Sequence, residues 1–423
     1  MRDIAITLII LGLVPLIWKQ PWTGVLAWLW ISVMNPHRYA FGFANSFPFA
    51  AIIAVVTLVS MLKSRDQVKL PLNATTLLFI AFPLWMSITT LFAFAPDAAY
   101  IRWKEVTKIF FFLVVGASLI NSRKQVDWMI WVIVCSVGFF GIKGGIFTIL
   151  SGGASRVYGP PGGGFMSDNN AISVALVMTI PLMLYLRSIS SSKWIKWALL
   201  ASSALSAMAV LGSQSRGAFL AVLAMAAFLW FKSSKKIVSG VVVAILIPLA
   251  LGFMPESWTS RMRTIETYEQ DTSAMGRLNS WYTAINIAND RPLIGGGFEL
   301  YRLEVFAKYA PDPLDVHSAH SIYFQMLGEH GYVGLALFLA IGFVAWTTAN
   351  RVIRRSRLNP DSAWAGSLAQ AIKVSLIGYA VGGAFVNIGY WEIQYYEIIA
   401  LMVLNELLKV PKTRPVVQLI HAI

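Results

Sequence analysis

Charged residues are scarce in this chain of 423 residues, in which Asp, Glu, Lys and Arg together make up only 13%. Soluble domains carry about 25%. Hydrophobic residues account for 57% of the sequence, so the composition excludes an ordinary soluble protein and favours one embedded in a membrane. Acidic residues are the scarcer charged kind, and the formal net charge is +14. In so apolar a chain this excess does not indicate a nucleic-acid partner, and positively charged loops beside a membrane explain it more simply.

Cysteine and histidine are also rare. The single cysteine, Cys135, lies in an apolar run, which excludes an intrachain disulfide and a thiolate metal cluster. The chain has five histidines, and two of them, His317 and His320, lie close together. We expect the protein to need no metal and no other cofactor.

Long apolar stretches dominate the sequence, and a helix needs about 20 apolar residues to cross a bilayer. These stretches lie at residues 4–18, 22–34, 47–62, 74–94, 104–120, 128–150, 168–187, 194–212, 216–231, 237–254, 321–349, 366–386 and 391–408. The sequence therefore predicts an all-α integral membrane protein with about 12 transmembrane helices. We divide it into N-terminal transmembrane helices (1–254), a long outer loop (255–320), and C-terminal transmembrane helices with a cytoplasmic tail (321–423).

The distribution of basic residues predicts the orientation. Six short loops carry eighteen of the 34 basic residues, and two helices separate each loop from the next, so all six fall on the cytoplasmic side. They include Lys232, Arg354 and Arg357. The long loop lies on the opposite side. Within it, Leu278, Trp281, Tyr282 and Ile285 recur at helical spacing, which predicts an amphipathic helix in the membrane interface.

Three arginines on the outer side run against this charge rule. Arg216 begins a helix, and its guanidinium is suited to binding phosphate; the alternatives are snorkelling to the interface or a structural ion pair. Arg277 lies in the first turn of the amphipathic helix, and its alternative is a solvated surface residue. Arg156 precedes a Gly-rich stretch at 159–164, which we interpret first as a hinge or lid and second as a phosphate contact.

The two neighbouring histidines lie at the end of the long loop. His320 precedes the next membrane helix and could accept a proton from a sugar hydroxyl as a general base. A structural role is the alternative. A metal site on His317 and His320, with Asp312, Asp315 or Glu329 as oxygen ligands, is a further alternative, although the segment has no HExxH pattern.

Three segments resemble the O-antigen ligase and polymerase superfamily, in particular bacterial O-antigen ligases and O-glycosylation ligases. They are Ser213–Gly217 at a helix start, Gly276-Arg277 through Arg291-Pro292-Leu293-Ile294-Gly295-Gly296-Gly297, and His320-Ser321-Ile322-Tyr323 through Gly328-Glu329-His330-Gly331 to Gly334. The resemblance covers most of the chain from about Arg156 onward. The family usually has Asn after the histidine, where this chain has Ser321.

The resemblance implies a GT-C-like, integral-membrane glycosyltransferase of the bacterial inner membrane, with its active site facing the periplasm. The donor would be an undecaprenyl-pyrophosphate-linked glycan and the acceptor a lipid A core sugar, with inversion at the anomeric carbon and without a metal. Carried over by position, His320 is the general base, and Arg216 and Arg277 hold the pyrophosphate. Arg156 and His317 are weaker candidates for substrate binding.

Two alternatives remain open at the level of sequence. The same site would serve an O-antigen polymerase or a protein O-glycosylation ligase, which differ only in the acceptor. A transporter of an anionic lipid or solute is more distant, because transporters place ionisable residues near the bilayer midplane. Here the suspected residues cluster at one end, and Lys143 and Lys373 are the basic residues that look embedded.

Overall fold

A computed structural model describes residues 1–160, 164, 166–232, 236–237, 240, 252, 254–256, 258 and 272–409. All regular elements in this part of the chain are helices. The α-helices are α1 (Arg2–Lys19), α2 (Trp22–Met34), α3 (Phe49–Lys63), α4 (Ala74–Leu91), α5 (Pro96–Leu119), α6 (Arg123–Leu150), α7 (Asn169–Ile189), α8 (Lys193–Gly212), α9 (Arg216–Lys232), α10 (Thr272–Asp290), α11 (Leu303–Tyr309), α12 (Ile322–Ser356), α13 (Ala363–Gly382) and α14 (Ile393–Leu407). Short 3-10 turns lie at Pro36–Tyr39, Phe43–Asn45, Arg65–Gln67, Pro360–Ser362 and Gly383–Phe385.

Six of the described helices are long and apolar enough to cross a membrane, namely α4, α6, α7, α8, α12 and the segment Pro360–Phe385 that contains α13. The helices α2 and α3 are apolar but shorter. The prediction of an α-helical membrane protein is therefore confirmed. The total of about 12 spans and the division at residues 254 and 320 stay predictions, and most of the predicted span 237–254 lies outside the described residues.

One hydrophobic core joins the two ends of the chain. It contains fully buried side chains from α2, α5, α7, α13 and α14, among them Leu29, Phe110, Met178, Ile372 and Leu401. The N-terminal and C-terminal helices thus form one bundle. The inward faces of its helices are packed, while large apolar residues such as Phe343 are exposed on the outside, as expected where lipid replaces water.

The closest helix packing depends on residues without bulk. Along α6, Gly141 and Gly145 face α8, and a Cβ atom at Gly145 would overlap the backbone carbonyl of Leu205. At the end of the same interface, Gly212 of α8 lies against Thr148 of α6. Small residues let two helix backbones approach closely, which is the usual basis of helix association in membranes.

The helix α12 is interrupted at Gly331, about one third of the way along its length. Gly331 has φ 67° and ψ −170°, a conformation outside the helical region that glycine adopts readily. The segment after α10 fills the break: the Pro292 carbonyl accepts from Tyr332 N–H at 2.8 Å. On the other side of the break, the carbonyl oxygens of Gly328 and Glu329 accept from the N–H groups of Gly296 and Gly297, at 2.8 and 2.9 Å.

Substituting Gly145→Ala is expected to destabilise the bundle, because the added methyl group would push α6 away from α8. Overpacking costs about 1–3 kcal/mol, so the apparent melting temperature in detergent should fall by several degrees. Gly342→Ala is the matched control, since Gly342 also lies inside an apolar helix but a Cβ there meets nothing within 4 Å. Equal melting temperatures for the two variants would contradict this packing.

Candidate functional site

The turn before Arg216 is held at one end of the bundle. Asn169, in the first turn of α7, donates from its side chain to the Ser213 carbonyl at 2.8 Å. Gly217 follows Arg216 and packs against Phe385, since a Cβ there would lie 2.8 Å from the Phe385 Cβ. Arg216 is thereby fixed at the start of α9 between the end of α13 and the start of α7, with its side chain partly exposed.

Arg156 is tied to the same turn. Its Nε donates to the side-chain oxygen of Gln214 at 3.3 Å, and the Gln214 amide donates to the Gly153 carbonyl at 3.2 Å. Gln214 has φ 55°, a left-handed conformation that is uncommon for residues other than glycine. Arg156 therefore lies beside the segment that carries Arg216. Residues 161–163 of the neighbouring Gly-rich stretch, and residue 165 just after it, lie outside the described residues.

His320 lies in a turn that is fixed from both sides. The Trp281 indole donates to the Ala319 carbonyl at 2.7 Å, and Ser321 N–H donates to the Asn387 side chain at 3.0 Å. His320 itself has φ 44°. Strained conformations of this kind persist only where neighbouring contacts impose them, and they are common at functional sites. Asn387 lies two residues after Phe385, which packs against Gly217. One segment therefore supports both the turn of His320 and the start of α9 with Arg216.

The helix α10 places Arg277 against the loop that carries the two histidines. Ser280 donates from its hydroxyl to the His317 carbonyl at 2.7 Å. The Asn279 amide donates to the carbonyl of Asp315 at 2.9 Å. His317 is exposed and its Nδ1 lies 2.7 Å from the Asp315 carboxylate. Arg277, one turn before Ser280, is consequently held near the 315–320 segment.

Electrostatics link these residues to His320. Burial lowers the pKa of His320, and the positive charge of Arg277 lowers it further, as does His317 to a smaller extent. The carboxylate of Asp168 acts in the opposite direction. Asp168 also caps α7 by accepting from the N–H groups of Asn170 and Ala171, as expected for a cap residue. The lowered pKa keeps the imidazole neutral at physiological pH, the form that can accept a proton.

All five residues singled out in the sequence lie at this end of the bundle: Arg156, Arg216, Arg277, His317 and His320. The contacts place Arg156 beside the turn of Arg216, and they place Arg277 and His317 around His320. These five residues include neither a pair of carboxylates nor a thiol. They place a neutral base beside positive charge, an arrangement suited to an anionic substrate.

The amphipathic helix of the long loop is present, but its packed face differs from the apolar stripe in the sequence. Tyr282 is 56% exposed, whereas Leu278, Trp281 and Ile285 are partly buried. The fully packed face instead consists of small or polar residues, Asn279, Ser280, Thr283, Ala284 and Ala288, together with Ile287. This face packs on α12 and on the histidine loop. Trp281 packs there as well, with its ring stacked on Phe324 at 4.8 Å, so that Tyr282 is the side chain of the apolar stripe that remains exposed.

A buried polar cluster beneath the site has partners that sequence reasoning missed. His330 is fully buried, and its ring nitrogens lie 2.7 Å from the Thr89 hydroxyl and 2.7 Å from the Tyr390 hydroxyl. Tyr390 donates to the carboxylate of Glu329, and the Trp85 indole donates to the His330 carbonyl at 3.1 Å. The sequence signal that could have revealed this cluster is the adjacent pair of ionisable residues, Glu329 and His330, within an apolar helix.

This cluster bears on the metal hypothesis. Glu329 faces Tyr390, and the Asp315 carboxylate faces His317, so neither acid is directed at a point shared by both histidines. Within the described ranges there is no group of three or more His, Cys, Asp or Glu side chains placed to hold one ion.

Comparison with known families divides the chain in two. Residues 201–339 match the family model described as O-antigen ligase, and residues 1–191 match a family of unknown function, DUF5935. No curated protein matches the chain significantly. The first match includes Arg216, Arg277 and His320, and it confirms the resemblance. The match at residues 201–339 supports an assignment to the O-antigen ligase family, which implies a glycosyltransferase-like activity of the ligase or polymerase type, and the apolar helices make the chain a multi-pass membrane protein.

Proposed function

We propose that the protein is an O-antigen ligase that transfers a polysaccharide from undecaprenyl pyrophosphate to a lipid A core sugar. The reaction takes place at the periplasmic face of the inner membrane, without a metal ion and with inversion at the anomeric carbon. The observation that carries the proposal is the setting of His320, a partly buried imidazole under the positive charge of Arg277. The turn that carries Arg216 is anchored to the same supporting segment.

His320 acts as the general base in this reaction. Its imidazole takes the proton of the acceptor hydroxyl while the hydroxyl oxygen attacks the anomeric carbon of the donor glycan. The bond between that carbon and the pyrophosphate oxygen breaks, and undecaprenyl pyrophosphate leaves with the electron pair. Attack from the side opposite the leaving group inverts the anomeric configuration.

Arg216 and Arg277 stabilise the leaving group. Negative charge grows on the pyrophosphate as the glycosidic bond breaks, and guanidinium groups match phosphate oxygens in geometry and charge. Two arginines can supply the positive charge that other glycosyltransferases take from a divalent cation. Arg156 and His317 lie at the border of the site, and we assign them weaker contacts to the donor or acceptor.

Deleting the gene is expected to leave lipid A core without polymer while polymerised, lipid-linked donor accumulates. The wild-type gene restores the polymer, and His320→Ala does not, because loss of a general base costs about 100-fold or more. Gels of lipopolysaccharide and extraction of the lipid-linked donor measure both outcomes. The matched control is His317→Ala, which removes a neighbouring but exposed imidazole and should retain most of the activity.

The same experiment separates the acceptors. A core that bears a single repeat unit in the deletion strain would indicate a polymerase instead. Normal lipopolysaccharide together with loss of glycans from periplasmic proteins would indicate an O-glycosylation ligase. Full restoration by His320→Ala would remove the general base from the mechanism.

The pH dependence of transfer tests the electrostatics. With purified protein in nanodiscs, kcat/KM should rise with pH and level off with an apparent pKa below 6.5, the ordinary value for histidine. Arg277→Gln should lower kcat/KM by about 100-fold, because a positive charge at the pyrophosphate is lost. It should also shift the acidic limb of the pH–rate profile to higher pH, because the charge that opposes imidazolium formation at His320 is gone. The transfer should persist in excess EDTA.

Arg302→Gln is the control for that shift, since Arg302 is an exposed arginine of the same loop whose Nε donates to the Glu299 carbonyl. It should leave the acidic limb in place. A limb that stays at the same pH in Arg277→Gln would contradict the assignment of His320 as the titrating base.

A further inference from the structure

A cavity of about 770 Å³ opens between α7, α9, α12 and α13, at the end of the bundle opposite the candidate site. The opposite placement follows from the chain direction. The cavity is lined by the second half of α7 and the last turns of α9 and α12, whereas Arg216 lies in the first turn of α9 and His320 precedes the first turn of α12. The catalytic mechanism uses none of the side chains around this cavity.

Four basic side chains line the cavity, Lys232, Arg354, Arg357 and Lys373. The described residues that line it include no aspartate or glutamate. Like charges repel, and the repulsion is stronger where water is partly excluded. A cavity with four positive charges and no carboxylate is complementary to an anion.

Lys373 is the basic residue of this cavity that contacts within the protein hold in place. The residue is only 7% exposed, and its ammonium donates to the Asn350 side chain at 2.7 Å. The ammonium also lies 3.8 Å from the centroid of the Trp346 ring, a cation–π contact. Within the described part of the chain no carboxylate lies within ion-pair distance of it. A buried ammonium held in place without a counter-charge indicates a ligand that supplies one.

The remaining walls of the cavity indicate the rest of the ligand. Most are apolar, and Leu184 and Leu229 are 44% and 51% exposed at its rim, facing outward from the bundle. Ser188 and Gln370 add polar side chains to the lining. A cavity that combines basic residues with apolar walls fits a phosphate headgroup that continues into acyl chains better than it fits a small soluble anion.

We propose that this cavity binds the headgroup of an anionic phospholipid in the leaflet opposite the candidate site. Basic cavities between transmembrane helices on the cytoplasmic side bind lipid headgroups in this way. The charge rule for cytoplasmic loops accounts for exposed residues such as Arg351, which lies on α12 outside the cavity. It does not account for a buried, hydrogen-bonded Lys373.

Native mass spectrometry of the purified full-length protein tests the proposal. Wild type is expected to retain phosphatidylglycerol with at least about tenfold higher affinity than phosphatidylcholine. The double variant Arg354→Gln/Arg357→Gln should lose this preference, and both residues are exposed, so the fold should tolerate the change. Lys373→Gln should lose it as well. Arg351→Gln, an exposed arginine of the same helix, is the control and should keep it.

Three results would overturn the proposal. The first is equal retention of phosphatidylglycerol by wild type and the double variant. The second is an equal loss of retention in Arg351→Gln, which would reduce the effect to general surface charge. The third is displacement of phosphatidylglycerol by millimolar inorganic phosphate, which would assign the cavity to a soluble anion. Failure of Lys373→Gln to fold leaves the double variant to decide.

Discussion

The break in α12 at Gly331 is the constraint on which the outer end of the molecule depends. A helix that is interrupted inside a membrane exposes N–H and C=O groups that must find partners within the protein. Here the Pro292–Gly297 segment provides them, through Tyr332 N–H on one side of the break and the Gly328 and Glu329 carbonyls on the other. Only glycine fits at Gly331, because a Cβ would overlap the Leu293 and Pro292 carbonyls. The loop is thereby locked to the helix.

This lock determines where the polar loop residues lie. Since the locked segment follows α10 directly, it holds α10 against α12, and α10 in turn holds the histidine loop through Ser280 and Trp281. Beneath it, the cluster of Thr89, His330 and Tyr390 joins α4, α12 and the segment before α14. Polar groups that would be costly in lipid are satisfied among themselves, and the rigid frame they form presents His320 at the surface of the bundle.

The sequence predicted those parts of the fold that are local. Apolar length identified the spanning helices, and helical spacing identified α10, because both signals lie within one segment. The packed face of α10 could not be predicted, since a helix between a membrane and a protein core has two contact surfaces, and here Tyr282 of the apolar stripe is exposed while small and polar side chains are buried. Asp168 as a cap was predictable from its position before α7. The partners of His330 were not, because Thr89 and Tyr390 lie 241 and 60 residues away. The same holds for Lys373, which looked embedded in the sequence but whose contacts with Asn350 and Trp346 depend on how α12 and α13 pack.

The most direct test of the account is a cryo-EM structure of the protein in nanodiscs with a bound lipid-linked pyrophosphate donor. The account predicts diphosphate density in contact with Arg216 and Arg277, with the anomeric carbon of the glycan facing the imidazole of His320. Diphosphate density away from these arginines, or a glycan whose anomeric carbon is out of reach of His320, would contradict it.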